Sequence, residues 1–391
     1  MSALQASEYD VIEIQKGDRD PVDISDKVIA VDYYESVYSP TVTASISHLD
    51  AGNSVVSTRT GLLGTLKDAL PIEGFERVAF DISTPFGHLD FKNRNVPLVV
   101  TGSPGTIESG NQQAILIPLV SREEIKSTTT PIKDYYRGNI SEIVNRLLTQ
   151  IGVPDSHKVI EPSQNNEQVN GRSRSVFEII ISLCKKAIPV GGDPGFFFYQ
   201  TQDGFNFRSI DGLIEEGSIR LRTDKNYKDT HTYSYFPGAI NEGPDSNDFK
   251  ILSPPNIIKD QNVLDSLKNG TYLVRFVTAN PVTYEFKEEI ENLLSKKNLG
   301  SKQETIIDPL FNMIESYSRT YTDVLDSGSS EPGVSKEELN NPMNWEAKSN
   351  MRYNLLHAQL VEIQVPCNVH LRAGEVIRCE LENITASDKV M

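Results

Sequence analysis

Three cysteines are the most reactive side chains in the sequence, and their spacing argues against thiol chemistry. Cys184, Cys367 and Cys379 form no CxxC pair and leave an odd thiol. This pattern disfavours a disulfide framework and favours a reduced intracellular site of folding. Cys184 lies within an apolar helical pattern, so we predict a buried small hydrophobic residue rather than a nucleophile.

The histidines do not occur at metal-binding spacings. All six are scattered, and no HExxH motif is present, although metal sites in proteins are commonly built from such clusters. His48 alternates with apolar residues of a predicted strand, which indicates a satisfied core or rim histidine rather than a ligand. The sequence therefore predicts no metal and no cofactor.

Carboxylates are plentiful, with 54 Asp and Glu residues in the chain. Two of them could act as the acid and the base of glycoside hydrolysis, but no spacing distinguishes one pair from the rest. We interpret Glu288-Glu289 and Glu337-Glu338 as solvated helix faces.

Glycine-rich segments lack the features of phosphate or nucleophile loops. Gly61-Leu62-Leu63-Gly64 has no lysine and no strand-loop-helix setting, and the run from Gly191 to Gly195 precedes a strand and is interpreted as a turn. No GxSxG, Walker-type, GxGxxG, kinase or Cys-His pattern occurs either. We therefore predict no catalytic or cofactor-binding residue and expect that the protein is not an enzyme.

Length and charge limit the class of protein to which the chain can belong. A chain of 391 residues suits several domains. Its formal net charge of -16 offers no basic surface for gripping nucleic acid. No apolar run approaches the roughly 18 to 20 residues of a membrane span, and no secretory signal is visible at the N-terminus. We expect no membrane insertion.

Residues 1–124 are predicted to form a first β-barrel domain. Thr41 to His48 alternates small polar and apolar residues, and Val78, Phe80 and Ile82 alternate in the same way. Turn residues separate these segments from further β-rich runs at Val28 to Tyr34, Val96 to Thr101 and Ala114 to Val120. Short antiparallel strands at this spacing favour a small barrel or sandwich.

Residues 125–216 are predicted to form an α+β domain. Asn139 and Ser175 each have a glutamate three positions later, which is the capping-box spacing at a helix start. Apolar residues follow both at helical intervals, and a polar loop is predicted from Gln164 to Gly171. Gln202-Asp203-Gly204 separates two aromatic-rich runs and predicts a β-hairpin. No basic residues interleave with the aromatics, so core packing is favoured over a stacking platform for bases or sugars.

Residues 217–250 and 350–391 are predicted to form a discontinuous second β-barrel domain. Its expected strands are Ser218 to Arg222, His231 to Tyr235, Leu360 to Cys367 and Val376 to Leu381, with Gly374 providing a bend between the last two. The chain stops where a closing strand is expected, so this barrel is predicted to be incomplete.

Residues 251–349 are predicted to be a mixed helical, α/β insertion in the second barrel. Helices are expected at Val263 to Leu267, Lys287 to Ser295 and Asn344 to His357, with a strand at Tyr272 to Val277. A Gly/Ser/Pro-rich segment predicts a flexible loop at 326–341.

The order of these parts, and three local segments, carry a resemblance. The segments are Glu35 to Gly52, Phe196 to Leu213 (with its FFFYQ and FNFRS runs) and Val361 to Leu381. Together they resemble the central baseplate hub protein of contractile-tailed bacteriophages, whose relatives include the hub part of secretion-system spike proteins. These motifs are structural, so the resemblance assigns no functional residue.

The resemblance implies a mixed β and α+β, multidomain fold with two small antiparallel β-barrels flanking an α+β domain. It further implies a homotrimer whose barrels form a pseudo-sixfold ring, a heterologous assembly that closes on itself. Such a ring joins a hexameric tail tube to a trimeric cell-puncturing spike and leaves a channel for DNA. The implied partners are the tail spike protein and the tube-initiating and surrounding baseplate proteins, and the implied location is the virion tail, after assembly in the host cytoplasm.

Two departures from the family pattern and one alternative function accompany this interpretation. Cys367 occupies a turn where the family often has glycine, and the missing final strands imply a missing C-terminal segment or completion by a neighbouring chain. Surplus negative charge is expected either to line the channel and repel passing DNA or to cover the exterior for solubility. The alternative function is a tail-associated cell-envelope hydrolase or carbohydrate-binding component, which only the carboxylates and aromatics support.

Overall fold

Several separate sheets with their own apolar cores make up the described part of the chain. The computed structural model describes residues 7–50, 55–56, 61, 63–66, 70–84, 87–92, 98–109, 112–223, 234–237, 249–260, 262–280, 284–292, 319–324 and 342–379. Within these ranges the protein has a mixed β and α+β, multidomain fold. No helix among them is both long and apolar enough to cross a bilayer.

In the described residues of the N-terminal part there are eleven strands, nine of which form one sheet. They are β1 (Glu8–Gln15), β2 (Val22–Asp23), β3 (Val28–Tyr34), β4 (Thr43–Leu49), β5 (Val55–Val56), β6 (Leu63–Gly64), β7 (Arg77–Thr84), β8 (Gly87–Asp90), β9 (Leu98–Val100), β10 (Gly105–Ser109) and β11 (Gln112–Ser121). A 3-10 turn, Ser25–Lys27, precedes β3.

The nine-stranded sheet has the order β2-β1-β7-β9-β11-β4-β3, with β8 on β7 and β10 on β11, while β5 and β6 pair separately. The two ends of this path, β2 and β3, do not pair with each other in the described residues. Closure into a barrel therefore stays a prediction.

Alternation along the strands fills the core of this sheet as the sequence predicts. Val78, Phe80 and Ile82 are buried on one face of β7 and pack with Ile12 and Ile14 of β1. His48 is 0% exposed, which confirms a core position. Its ring nitrogens lack hydrogen-bond partners among the described residues, so no described residue satisfies this histidine as predicted. Burial lowers the pKa of His48.

The α+β part contains five strands and four helices. The strands are β12 (Tyr135–Asn139), β13 (Lys158–Ile160), β14 (Asn166–Asn170), β15 (Phe196–Thr201) and β16 (Gly204–Ser209). The helices are α1 (Arg122–Thr129), α2 (Ile140–Gln150), α3 (Val176–Cys184) and α4 (Ile210–Thr223). A short 3-10 turn, Asp155–His157, precedes β13.

Local signals for helices and hairpin in this part are confirmed. Ser175 and Glu178 form a capping box at the start of α3, and the Asn139 side chain accepts from the Ser141 amide at the start of α2. β15 and β16 pair antiparallel, with Thr201 opposite Gly204, and β13 pairs parallel to β16. The Gly191 to Gly195 segment is a turn before β15, with φ of 80° at Gly191 and 128° at Gly195.

Two predictions in this region were wrong. The polar loop expected from Gln164 to Gly171 contains β14, which pairs with β12; a strand without an apolar pattern depends on a partner that is distant in sequence. The strand expected at Ser218 to Arg222 is helical and belongs to α4. Ser209 Oγ accepts from the Gly212 amide at 2.9 Å, so this helix starts with a cap. Once a helix has started, adding further residues to it is favourable, and this outweighs the short strand-like alternation of Ser218 to Arg222.

The C-terminal part has seven short to medium strands and two α-helices among the described residues. The strands are β17 (Ser234–Tyr235), β18 (Asn256–Lys259), β19 (Leu273–Asn280), β20 (Glu285–Asn292), β21 (Arg319–Val324), β22 (Leu360–Glu362) and β23 (Arg378–Cys379). The helices are α5 (Val263–Lys268) and α6 (Glu346–Leu356), and a 3-10 turn, Pro342–Asn344, precedes α6.

Strand β20 overturns the charged helix predicted from Lys287 to Ser295. It pairs along eight residues with β19, while β21 pairs parallel on the other side of β19. Glu288 and Glu289 are exposed on this strand rather than on a helix. Ladder pairing with an apolar neighbour outweighs the helix propensity of the Glu and Lys residues.

Strands are present in both ranges predicted near the end of the chain, but each is shorter than expected. β22 pairs with β18 and β23 pairs parallel with β17, so the two do not pair with each other. Gly374 does form the expected bend, with φ of 88°. The predicted loop at 326–341, Glu337-Glu338 and the incomplete end after Cys379 lie outside the described residues. The four domain boundaries stay predictions.

Candidate functional site

Three distant parts of the chain meet at the tip of the β15–β16 hairpin. Its two-residue loop is Gln202-Asp203. The Gln202 amide donates to Glu35 Oε1 at 2.6 Å, and its side-chain nitrogen donates to the His88 carbonyl at 3.3 Å. The hairpin tip is therefore held against the N-terminal sheet by both main-chain and side-chain bonds.

Glu35, which directly follows β3, connects all three parts. Its Oε1 also accepts from the Tyr33 hydroxyl at 2.7 Å, and its Oε2 accepts from the Ala373 amide at 3.0 Å. Burial, followed by the charge of Glu35, raises the pKa of Tyr33, so this phenol stays a donor at neutral pH. One carboxylate thus joins the N-terminal sheet, the hairpin and the C-terminal segment.

The C-terminal segment lies close against the hairpin at the same place. Arg372 Nε donates to Asp203 Oδ2 at 2.7 Å, and a side chain at Gly374 would overlap the Tyr199 hydroxyl. Burial raises the pKa of Tyr199 to about 12. Gly374 is therefore required twice, by its positive φ and by the closeness of the tyrosine.

A cavity of about 390 Å³ opens beside this junction. We call it the hairpin-tip cavity. Its apolar and aromatic walls include Tyr9, Val31, Tyr33, Tyr34, Ile82, Leu89, Val369 and Leu371. Its polar groups include Asp32, Glu35, Gln202, Cys367 and Arg372. Apolar walls with a few polar groups suit an aromatic or aliphatic side chain better than a charged substrate.

A partly buried ion pair joins α6 to the α+β part. Arg352, nearly buried, forms a two-pronged pair with Asp211 and also donates to the Asp193 carbonyl at 2.7 Å. The next residue, Tyr353, donates its hydroxyl to the Phe196 carbonyl. These bonds anchor α6 at the base of the same hairpin whose tip contacts the N-terminal sheet.

A second, open cavity of about 540 Å³ lies at the start of α2. Asn139 Oδ1 accepts there from the Ser141 and Ser163 hydroxyls at 2.6 and 2.7 Å. These polar groups satisfy one another and the helix end, so the arrangement serves the fold.

The cysteines and the aromatic cluster lie where the sequence predicts. All three thiols are free, with Cys184 and Cys379 buried and Cys367 exposed. Burial raises the pKa of Cys184 and raises that of Cys379 to about 11, which leaves these two buried thiols protonated and weakly nucleophilic. Every residue of β15 is buried, so its aromatics are core residues rather than a stacking platform.

One group with metal-ligand chemistry was missed by the sequence reasoning. The ligand atoms of Asp10, Asp81 and His88 all lie within 4.8 Å of one another. The register between β1 and β7 shifts at Asp10, and such a bulge brings its side chain onto the face of Asp81. No short sequence pattern signals a bulge of this kind. His88 Nδ1 lies 3.2 Å from Asp81 Oδ1, and the absence of a metal stays a prediction.

Comparisons with known proteins identify relatives in structure rather than in sequence. No protein-family model and no curated protein matches the chain. The 43 kDa tail protein of prophage MuSo2 from Shewanella oneidensis matches with a TM-score of 0.51 and 8% identity, covering 98% of this chain and 91% of that one. At this identity the match shows a shared fold.

Two further structures match more loosely. The tail protein from Neisseria meningitidis MC58 has a TM-score of 0.43 and 8% identity, with 81% of this chain and 71% of that one covered. The lidded Francisella PdpA-VgrG complex has a TM-score of 0.42 and 10% identity, with 85% of this chain and 42% of that one covered. The structural neighbours thus include phage tail proteins, as the resemblance in the sequence predicts.

Proposed function

We propose that this protein is the structural hub of a phage tail baseplate and acts without catalysis. The observation that carries the proposal is the shared fold with the MuSo2 tail protein over 98% of the chain. In this role three copies form a pseudo-sixfold ring between a hexameric tail tube and a trimeric spike. The protein would then be a virion component that leaves a channel for DNA.

The proposed ring requires two similar barrels in each chain. We assign the first to residues 1–124 and the second to 217–250 and 350–391, flanking an α+β domain at 125–216 and carrying the insertion 251–349. In this proposal the strands of the nine-stranded N-terminal sheet form the first barrel. The pair β17–β23 joins the two halves of the second barrel across the insertion, and the pair β18–β22 joins the insertion to the second of these halves.

The junctions around the hairpin support a mechanical role. A hub that transmits force between tube and spike needs its barrels held in fixed relation, and loops alone do not provide that. The bonds of Glu35 at the hairpin tip and of Arg352 at its base join distant parts of the chain through buried or partly buried groups.

The acidity of the chain fits passage of DNA without binding. Surplus negative charge, -16 in total, would repel phosphates from a channel wall and let the duplex slide. A structure of the assembled ring tests this directly, and a neutral or basic channel wall would contradict it.

Solution mass with and without the spike partner tests the hub proposal. We expect a species of three chains, either alone or when the spike protein is added, as measured by light scattering with size exclusion. A chain that stays monomeric in both conditions would refute the ring. A parallel cell-wall degradation assay should show no turnover, because clear turnover would favour the envelope hydrolase instead.

A further inference from the structure

Phe75 combines strong exposure with a backbone conformation that is unfavourable for it. It is 76% exposed and has φ of 68°, a region that a bulky residue rarely occupies. Gly74 before it has φ of 119°. A strained, exposed aromatic persists only when its surroundings hold it, and such outliers concentrate at functional sites.

The turn around Phe75 is held by a buried carboxylate. Glu76 is 1% exposed and accepts from the amides of Glu73 at 3.0 Å and Gly74 at 2.9 Å. The Phe75 amide donates to the Val100 carbonyl at 2.9 Å, and Lys16 Nζ lies 3.7 Å from Glu76. Phe75 is thus presented on a rigid turn, with little conformational entropy left to lose on binding.

The Phe75 turn and the hairpin-tip cavity lie at opposite ends of one strand. Phe75 precedes the start of β7, while Ile82 and Thr84 near its other end line the cavity. An eight-residue strand separates them by about 26 Å. A projecting group at one end and a hollow at the other are the two halves of a head-to-tail contact between identical chains.

We propose that Phe75 of one copy inserts into the hairpin-tip cavity of the next copy. This inference rests on the proposed function, because only a ring lets every Phe75 and every cavity find a partner. An apolar cavity of about 150 Å³ holds a benzene ring, so a cavity of about 390 Å³ has room for the phenyl group. A buried aromatic surrounded by other aromatics is the typical anchor of a protein interface.

A disulfide trap tests this contact directly. Cys367 lines the cavity and is exposed, whereas Cys184 and Cys379 are buried. In a Phe75→Cys chain under mild oxidation we expect covalent oligomers in which position 75 is linked to Cys367 of a neighbouring copy. Non-reducing gels and peptide mass spectrometry identify the link, and adding Cys367→Ser should remove it. Assembled rings without this link would overturn the proposal.

A second pair of variants separates anchoring from folding. Phe75→Gly relieves the strained φ, so we expect the melting temperature of the monomer to rise by roughly 2–4 °C. Self-association should weaken by roughly 10- to 100-fold. The matched control is Tyr284→Gly, since Tyr284 is 92% exposed and has φ of 56°. Tyr284→Gly should raise the melting temperature by a similar amount, because it also relieves a positive φ, and it should leave self-association unchanged.

The outcomes distinguish this contact from the hub proposal on which it rests. If the unmodified chain forms trimers and Phe75→Gly forms them equally well, the contact is refuted while the ring stands. If the unmodified chain is monomeric even with the spike protein, both fail together.

Discussion

Two three-stranded sheets of this protein share a topology and differ in burial. The sheet β13-β16-β15 and the sheet β20-β19-β21 each combine one antiparallel and one parallel pair. In the first, all six residues of β15 are buried. In the second, β20 is exposed without interruption from Phe286 to Ile290.

The difference arises from what covers each sheet. Phe196 and Phe198 of β15 pack with α2 and α3, while Phe197 and Tyr199 face Tyr353 and Ala373. The sheet containing β20 packs one face against α6, through residues such as Ala347 and Met351. The first sheet thus connects other parts of the molecule, whereas the second leaves most of β20 exposed, so equal substitutions should have unequal effects.

The largest contrast is expected for a phenylalanine in each sheet. Phe207 is 0% exposed and stacks on Phe196 at 4.6 Å, so Phe207→Ala should cost about 3–5 kcal/mol of unfolding free energy. Phe286 is 63% exposed, so Phe286→Ala should stay within about 0.5 kcal/mol. Denaturant unfolding followed by circular dichroism measures both, and similar losses would refute the contrast.

The next effect concerns the C-terminal cover over the hairpin. Gly374→Ala adds a methyl group against the Tyr199 hydroxyl at a positive φ and should cost about 2–4 kcal/mol. The control is Gly17→Ala, where φ is 63° and nothing lies within 4 Å of the added methyl group. This variant should lose only about 1–2 kcal/mol of unfolding free energy. If thermal unfolding showed the same loss for both variants, the positive φ of Gly374 alone would explain its requirement for glycine, and the closeness of Tyr199 would not matter.

A smaller effect is expected from matched arginine–carboxylate pairs. Asp211→Asn weakens the pair with nearly buried Arg352 and should cost about 1–3 kcal/mol, since Asp211 is itself 43% exposed. Glu288→Gln alters the pair with Arg275, whose two hydrogen bonds of 2.6 and 2.8 Å lie at the surface. This variant should leave the denaturant midpoint of unfolding unchanged.

The single tryptophan offers a probe for this pair of variants. Trp345 precedes α6, and Lys186 of the α+β part lies 5.6 Å from its ring. Its emission should therefore report loosening of α6 in Asp211→Asn and stay unchanged in Glu288→Gln. The opposite ranking would mean that the exposed pair is the stronger of the two.

The smallest contrast involves two helix caps. Ser175→Ala removes the capping box of α3, a helix buried under the first sheet, and should cost about 1 kcal/mol. Asn262→Ala removes the cap of α5, a six-residue helix of the C-terminal part in which only Ser266 is buried. That loss should fray α5 alone and stay within about 0.5 kcal/mol globally. Amide hydrogen exchange distinguishes local from global opening.

Local features of the α+β part could be predicted from residues a few positions apart. The capping box at Ser175 and the hairpin at Gln202-Asp203 depend on hydrogen bonds that close within the same element. Strand β14, by contrast, has no apolar pattern and depends on pairing with β12. Strand β20 contains residues that favour helix and depends on β19.

The candidate site could not be predicted, because its bonds connect residues that are far apart in sequence. Glu35 meets the amide of Gln202 across 167 positions and that of Ala373 across 338. Phe75 and the hairpin-tip cavity likewise become complementary only when β7 places them at opposite ends. No periodicity of 2 or 3.6 residues encodes such relations.

The sequence by itself determined the class of the protein: several domains, β structure around an α+β part, an acidic chain without catalytic motifs and a resemblance to baseplate hubs. These properties follow from composition, periodicity and short-range hydrogen bonding. Only the tertiary structure decided which strands pair, which aromatic is exposed and which carboxylate joins distant segments. The physical reason is that burial and long-range hydrogen bonds exist only once the whole chain has packed.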